Sequence, residues 1–145
     1  MIYQPKKITR NFSDVEVLPE ELFGYDWGIF VNPRIVHVAQ EIRNKFGSVT
    51  INNSYWGGGF NLSGYRPQNT KIGARYSQHK FGRALDLKFK DTYQPLEVQD
   101  YIMNNEKEFY QLGLRRMECA KVTRTWLHID LMETRLHNKI LIFKP

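Results

Sequence analysis

Cysteine occurs once in this sequence, at Cys119, so no intramolecular disulfide can form and a cysteine-rich zinc knuckle is excluded. Any metal would have to be held by histidine and carboxylate. Long apolar runs are missing too: no stretch approaches the ~18 residues of a membrane span, and membrane insertion is not expected. The amino terminus, MIYQPKKITRNFSD, carries lysine and arginine without the apolar segment of a signal peptide, so the expectation is a protein made in the cytoplasm. Basic residues never gather into a run of five or six, which speaks against a disordered nucleic-acid arm. With no repeat, low-complexity tract or linker, the 145 residues are expected to form one domain, 1–145, around one core.

What is present is a chain with 41% hydrophobic and 14% aromatic residues and a net charge of +6. That charge suits an anionic partner such as nucleic acid, a bacterial wall polymer or an acidic membrane, and suits ordinary solubility equally well. Asn32 followed by Pro33 reads as a helix cap, and Ile35, Ala39, Ile42 and Phe46 recur at helical spacing up to Gly47. A second helix is predicted over about 95–111, stopping at Gly113. Strands are predicted at 48–52, 60–65, 84–90, 114–120, 125–131 and 140–144. The glycine-rich YWGGGFN reads as a flexible loop beside a site. These elements predict an α+β domain, with a small antiparallel sheet carrying helices on one face.

Period-two alternation assigns the other face. Leu85, Leu87 and Phe89 share one side of their strand, and Ala84, Asp86, Lys88 and Lys90 the other. In RTWLHIDL the apolar side is Thr125, Leu127, Ile129 and Leu131, against Arg124, Trp126, His128 and Asp130. Two strands with apolar backs and His or Asp fronts predict a polar cleft, over which His79 can reach from the preceding loop. His79, Asp86 and His128 together would make a zinc shell with room for water in the fourth position. Spacing alone does not separate that shell from a solvated strand face.

The residues themselves carry a resemblance. Positions 77–86 read S-x-H-x-x-G-x-A-x-D, W-x-H follows in TWLHID, and SGYR precedes at 63–66. This combination resembles the zinc D-Ala-D-Ala peptidase family, which includes bacterial D,D- and L,D-carboxypeptidases and phage peptidoglycan endopeptidases; the hedgehog signalling domain shares that fold and zinc site. The resemblance runs from about Val49 to Leu131, and residues 1–45 match no part of it. It implies a zinc cleft with His79, Asp86 and His128 as metal ligands, and Arg66 as the arginine that contacts a substrate carbonyl or carboxylate. Gly82 would turn the backbone so that His79 returns over Asp86, and Ala84 would leave room beside it.

Some members of the family place the general base three residues before the last histidine, where this chain has Thr125. Glu118 is the nearest upstream carboxylate. If 114–120 and 125–131 pair as a hairpin, Glu118 falls directly across from His128 and projects into the same cleft. As an ordinary strand carboxylate it would instead pair with Arg116 or Arg124. Ser77, Trp126 and Asp130 are further candidates: Ser77 for a loop or ligand hydrogen bond, Trp126 as a cleft wall, and Asp130 as an acceptor behind a ligating histidine.

The resemblance implies a zinc-dependent peptidase acting on the stem or cross-link peptide of peptidoglycan, with anionic wall polymers as possible neighbours. A phage endolysin or virion component would act at the bacterial wall after release. Two other readings remain: a non-catalytic domain that keeps the fold and its zinc for binding or structure, and a metal-dependent nuclease suggested only by charge and His/Asp content. No specific nucleic acid is expected as a partner.

Overall fold

The apolar stripe of Ile35, Val38, Ala39 and Ile42 winds into helix α1, Pro33–Phe46, in the computed structural model, which describes residues 2–145. Its start is set by Asn32, whose side-chain oxygen accepts the Arg34 amide at 3.0 Å, with Pro33 in the first turn. Gly47 ends it at φ +83.

Five short strands follow among the described residues: β1 (Val49–Thr50), β2 (Ala84–Phe89), β3 (Arg116–Glu118), β4 (Leu127–Asp130) and β5 (Leu141–Phe143). They form one sheet in the order β1-β2-β4-β3-β5. The expected antiparallel sheet is corrected here: β3 pairs parallel with β5 along Arg116↔Leu141 to Glu118↔Phe143, so the sheet is mixed. The segment after β4 crosses back before entering β5, and a crossover of that length permits parallel pairing where a tight hairpin would not.

The predicted second helix is two helices, α2 (Gln94–Asn104) and α3 (Glu106–Leu112), divided at Asn105, which leaves helical geometry at φ −125, ψ 34. Its side chain donates to the Tyr101 carbonyl at 2.9 Å, holding the break. Between β3 and β4 lies a one-turn helix, α4 (Ala120–Thr123), where a tight hairpin turn was expected. Leu85, Leu87, Met117, Leu127 and Ile129 point from the sheet into a core shared with Ile35, Ala39 and Ile42 of α1 and Val98 and Ile102 of α2. The apolar face is therefore closed by helices, and the face bearing Asp86 and His128 is left for the cleft.

Residues 60–65 do not form the predicted strand. Their polar backbone groups are satisfied between two neighbours: the Tyr65 amide donates to Val17 O at 2.8 Å, and Ser63 O accepts the Asp86 amide at 2.8 Å. The amino-terminal segment thus braces the site from behind, with Phe12, Val15, Val17 and Leu18 fully buried. A side chain at Gly64 would collide with the Val17 carbonyl, and this close approach is what the glycine of SGYR allows. The YWGGGFN loop is not loose at its base: the Asn53 and Ser54 amides donate to Phe60 O, and the Phe60 amide donates back to Asn53 Oδ1.

His79 lies in the short 3-10 turn Gln78–Phe81, which Gly82 ends at φ +67. The Asn32 amide donates to Gly82 O at 2.8 Å, and a Cβ at Gly82 would strike the Phe30 carbonyl oxygen. Both the positive φ and the close contact disfavour any side chain. Gly82→Ala is expected to lower stability by roughly 2–4 kcal/mol in urea unfolding. A loss below ~0.5 kcal/mol, the range of an ordinary surface change, would show that the turn does not depend on this glycine.

Candidate metal centre and cleft

The sheet register sets the polar groups in rows. Asp86 stands opposite His128, and Ala84 opposite Asp130, on β2 and β4. Arg116 stands opposite Asp130 and Met117 opposite Ile129 on β3 and β4, so the next pair in that register is Glu118 with His128. One row therefore reads Asp86, His128, Glu118, and the next reads Ala84, Asp130, Arg116. The register matches the hairpin expectation although the connection is helical.

His79 enters from its turn above the first row. One ligand atom from each of His79, Asp86 and His128 lies within 4.8 Å of the others, and all three side chains are largely screened from solvent. The outer ring nitrogens are already engaged. His79 Nδ1 donates to the Gly64 carbonyl at 2.8 Å, and His128 Nε2 donates to Asp130 Oδ2 at 2.9 Å. The inner nitrogens, His79 Nε2 and His128 Nδ1, both face Asp86 Oδ1, at 3.2 and 3.0 Å.

All four ring nitrogens thus face an acceptor. A neutral imidazole has one N–H, so satisfying every contact with protons alone requires two imidazolium ions packed together. A divalent cation between the inner nitrogens and Asp86 carries the same charge as the two inner protons and meets three lone pairs directed at it. The donor set, two imidazoles and a carboxylate, is chemically suited to a first-row divalent ion. The His79-Asp86-His128 group could therefore hold a metal ion, with each histidine oriented by a second acceptor as metal-bound histidines are.

Charge around the group follows from these contacts. Burial alone would lower the His128 pKa, but hydrogen bonds to Asp130 and Asp86 push it up from its ordinary 6.5 to about 9. Burial would raise both carboxyls, yet His128 and His79 hold Asp86, and His128 and Arg116 hold Asp130, below the usual carboxylate range. Asp130 is fully buried and takes Arg116 Nε at 2.9 Å and Nη2 at 2.9 Å, with the Met132 amide at 3.0 Å. Arg116 in turn lies 4.4 Å from the Phe143 ring centroid. An arginine thus fixes the aspartate that fixes His128.

The cleft in front has a volume of about 550 Å³. Arg66, Ser77, His79, Asp86, Glu118, Trp126 and His128 all border it, so the structure brings together every predicted site residue except Asp130, which lies behind His128. Arg66 Nη2 donates to Asp86 Oδ2 at 3.1 Å and its Nε to Leu62 O at 2.7 Å. Glu118 is not tied to the arginines suggested for it: Arg116 is committed to Asp130, and Arg124 Nε donates to the Lys121 carbonyl. Its backbone carbonyl is held by Gln99 Nε2 at 2.8 Å. Thr125 faces a different depression, beside Tyr93 and Leu96. Ala84 does not border the cleft and sits opposite Asp130 instead.

Sequence reasoning missed two supports. Arg116 was legible from the same hairpin symmetry that located Glu118, since that symmetry also places it across from Asp130. Lys88 lies two residues from Asp86 on the same face; its ammonium donates to Ile51 O at 2.9 Å and to Ser63 Oγ, and burial lowers its pKa to about 8. It anchors the 60–65 stretch whose Ser63 carbonyl receives the Asp86 amide.

No family model, curated protein or solved structure matches the chain. The geometry therefore carries the functional argument without a relative beside it.

The metal-free protein has a definite pH signature. His128 is raised on folding, so its contribution is fully present below pH 6.5 and is lost as pH rises through about 9. The lowered Asp86 and Asp130 contribute above pH 3.8 and lose that contribution as acid protonates them. Thermal unfolding of the metal-free protein should show stability falling between pH 6.5 and 9, with the His128 ring proton titrating in that window by NMR. Stability that does not fall over the same window would mean that His128 is neutral in the folded protein.

Proposed function

We propose that this chain is a zinc metallopeptidase acting on the peptide part of peptidoglycan. The observation that carries the reading is one arrangement: a His-Asp-His group with both outer histidine nitrogens tied off, flanked in the same cleft by Glu118 and Arg66. The resemblance of S-x-H-x-x-G-x-A-x-D, W-x-H and SGYR to zinc D-Ala-D-Ala peptidases gives His79, Asp86 and His128 the role of metal ligands and Arg66 that of the substrate-contacting arginine, whereas Glu118 is taken as the general base from its place in the row of His128. The resemblance also supplies the substrate class.

Zinc held by His79 Nε2, Asp86 Oδ1 and His128 Nδ1 would supply Lewis acidity and a water of lowered pKa. Glu118, two residues from Arg116 on the same face and opposite His128, accepts the proton of the attacking water. Arg66 donates from its guanidinium to the oxygen of the carbonyl under attack, where negative charge develops. Glu118 then returns the proton to the departing amine nitrogen, which keeps the step balanced and leaves the carboxylate ready for another cycle. Trp126 walls the cleft, and Ser77 presents a hydroxyl at its edge.

The site of action that fits this chemistry is the bacterial cell wall, reached as an endolysin or virion component. The net charge of +6 favours approach to anionic wall polymers. A domain that keeps its metal for binding or structure alone is the competing reading.

The deciding experiment compares the parent with Glu118→Gln on purified wall, with zinc content measured for both and products identified by mass spectrometry of muropeptides. The variant should retain zinc while kcat/KM falls by at least ~10²-fold, the low end for loss of a general base. Equal cleavage by parent and variant would leave Glu118 without a catalytic role, and muropeptides left intact by the zinc-loaded parent would favour the binding-domain reading.

A further inference from the structure

The cleft does not end at Arg66. Beyond that guanidinium lies a second depression of about 310 Å³, lined by Gly59, Phe60, Asn61, Leu62, Ser63 and Ile72, and Arg66 borders both spaces. Gly73, next to Ile72, packs so closely on Arg66 Nη1 that a side chain there would displace the guanidinium. The two spaces therefore meet at one residue whose position is fixed from both sides.

The far depression presents two exposed apolar side chains among its lining residues. Phe60 is 44% exposed and Ile72 58% exposed. The Phe60 ring is held from below by the Lys88 ammonium, 4.3 Å from its centroid, and that ammonium is itself anchored on Ile51 O and Ser63 Oγ. Its backbone is clamped by the Asn53 and Ser54 amides at 2.9 and 3.1 Å and by Asn53 Oδ1 at 2.9 Å. The Asn53 side chain fills the space where Gly58 would carry a Cβ, so the glycine lets the loop close over it. An aromatic ring turned toward water by a lysine and a loop clamp, and continuous with a cleft, has the character of a preset subsite rather than of an incidental surface residue.

We propose that Phe60 and Ile72 form an accessory subsite that takes an aliphatic side chain of the substrate beyond Arg66, so that the site receives an extended, cross-linked peptide rather than a short terminal one. This rests on the peptidase reading and adds the extent of the substrate to it. Contacts there bind ground state and transition state alike, so they act on KM and leave kcat nearly unchanged.

The test measures steady-state kinetics of the zinc-loaded protein on two purified muropeptides, one monomeric and one cross-linked. The parent is expected to favour the cross-linked form. Phe60→Ala and Ile72→Ser should each raise KM for the cross-linked muropeptide by roughly 10-fold more than for the monomer, with kcat on the former changed less than about twofold. Phe60→Leu, which keeps an apolar surface, should recover most of the loss. A parent that prefers the monomer, or variants that alter KM equally for both, overturns the subsite. If the parent cleaves neither muropeptide, the peptidase reading fails on its own. NMR titration of the zinc-loaded protein with the cross-linked muropeptide then decides the subsite: shifts at the Phe60 and Ile72 amides support it, and their absence overturns it.

Discussion

Asp86 Oδ1 faces two imidazole nitrogens at 3.2 and 3.0 Å, and most of the fold around it exists to keep that meeting possible. Bringing two buried histidines onto one carboxylate oxygen is costly unless their remaining nitrogens are satisfied and the charge is balanced. The protein meets the first condition with the Gly64 carbonyl and with Asp130. It meets the second with Arg66 on the other Asp86 oxygen and Arg116 on Asp130. Gly64 and Arg66 come from one motif and Arg116 and Asp130 from neighbouring strands, so segments distant in sequence are tied together at the cleft.

That dependence gives the amino-terminal segment its purpose. Val17 O receives the Tyr65 amide, and Glu16 O receives the Asn52 amide at 3.0 Å. Asn52 Oδ1 accepts the Ser63 amide at 2.8 Å, so residues 16–18, 52 and 63–65 form a continuous hydrogen-bonded layer behind Arg66 and His79. Only its 63–65 portion falls within a motif, SGYR; residues 16–18 carry none, because they contribute backbone carbonyls, whose bonding places little demand on side-chain identity.

The parts of the site that lie on strands were legible, and the reason is geometric. Alternation put Asp86, His128 and Asp130 on one face, and the symmetry of the two strand segments about residue 123 put Glu118 in the row of His128; the observed register of β3 and β4 has that symmetry. A helical turn in the connection did not disturb it, since pairing is set by the apolar residues Met117, Leu127 and Ile129 that must share the core. The parallel pairing of β5, the break at Asn105 and the irregular course of 60–65 were not legible. Each depends on tertiary partners: an edge left open beside β3, a side-chain bond to Tyr101, and a backbone layer contributed by residues that carry no periodic signal. Phe60 was hidden inside a loop that glycine content marks as loose, whereas Gly58 lets the loop close tightly over the Asn53 side chain.

The central claim is that a divalent ion takes the place of protons at the inner histidine nitrogens, and isothermal titration calorimetry of the metal-free protein with zinc tests it most directly. The titration is run near pH 7 in buffers of differing ionisation enthalpy, so that protons released on binding appear as a buffer-dependent heat. With His128 raised to about 9 in the metal-free protein, its Nδ1 proton must leave when the ion binds. The account predicts one zinc per chain and release of about one proton or more for each. Zinc that binds with no buffer dependence, or that fails to bind, would contradict it.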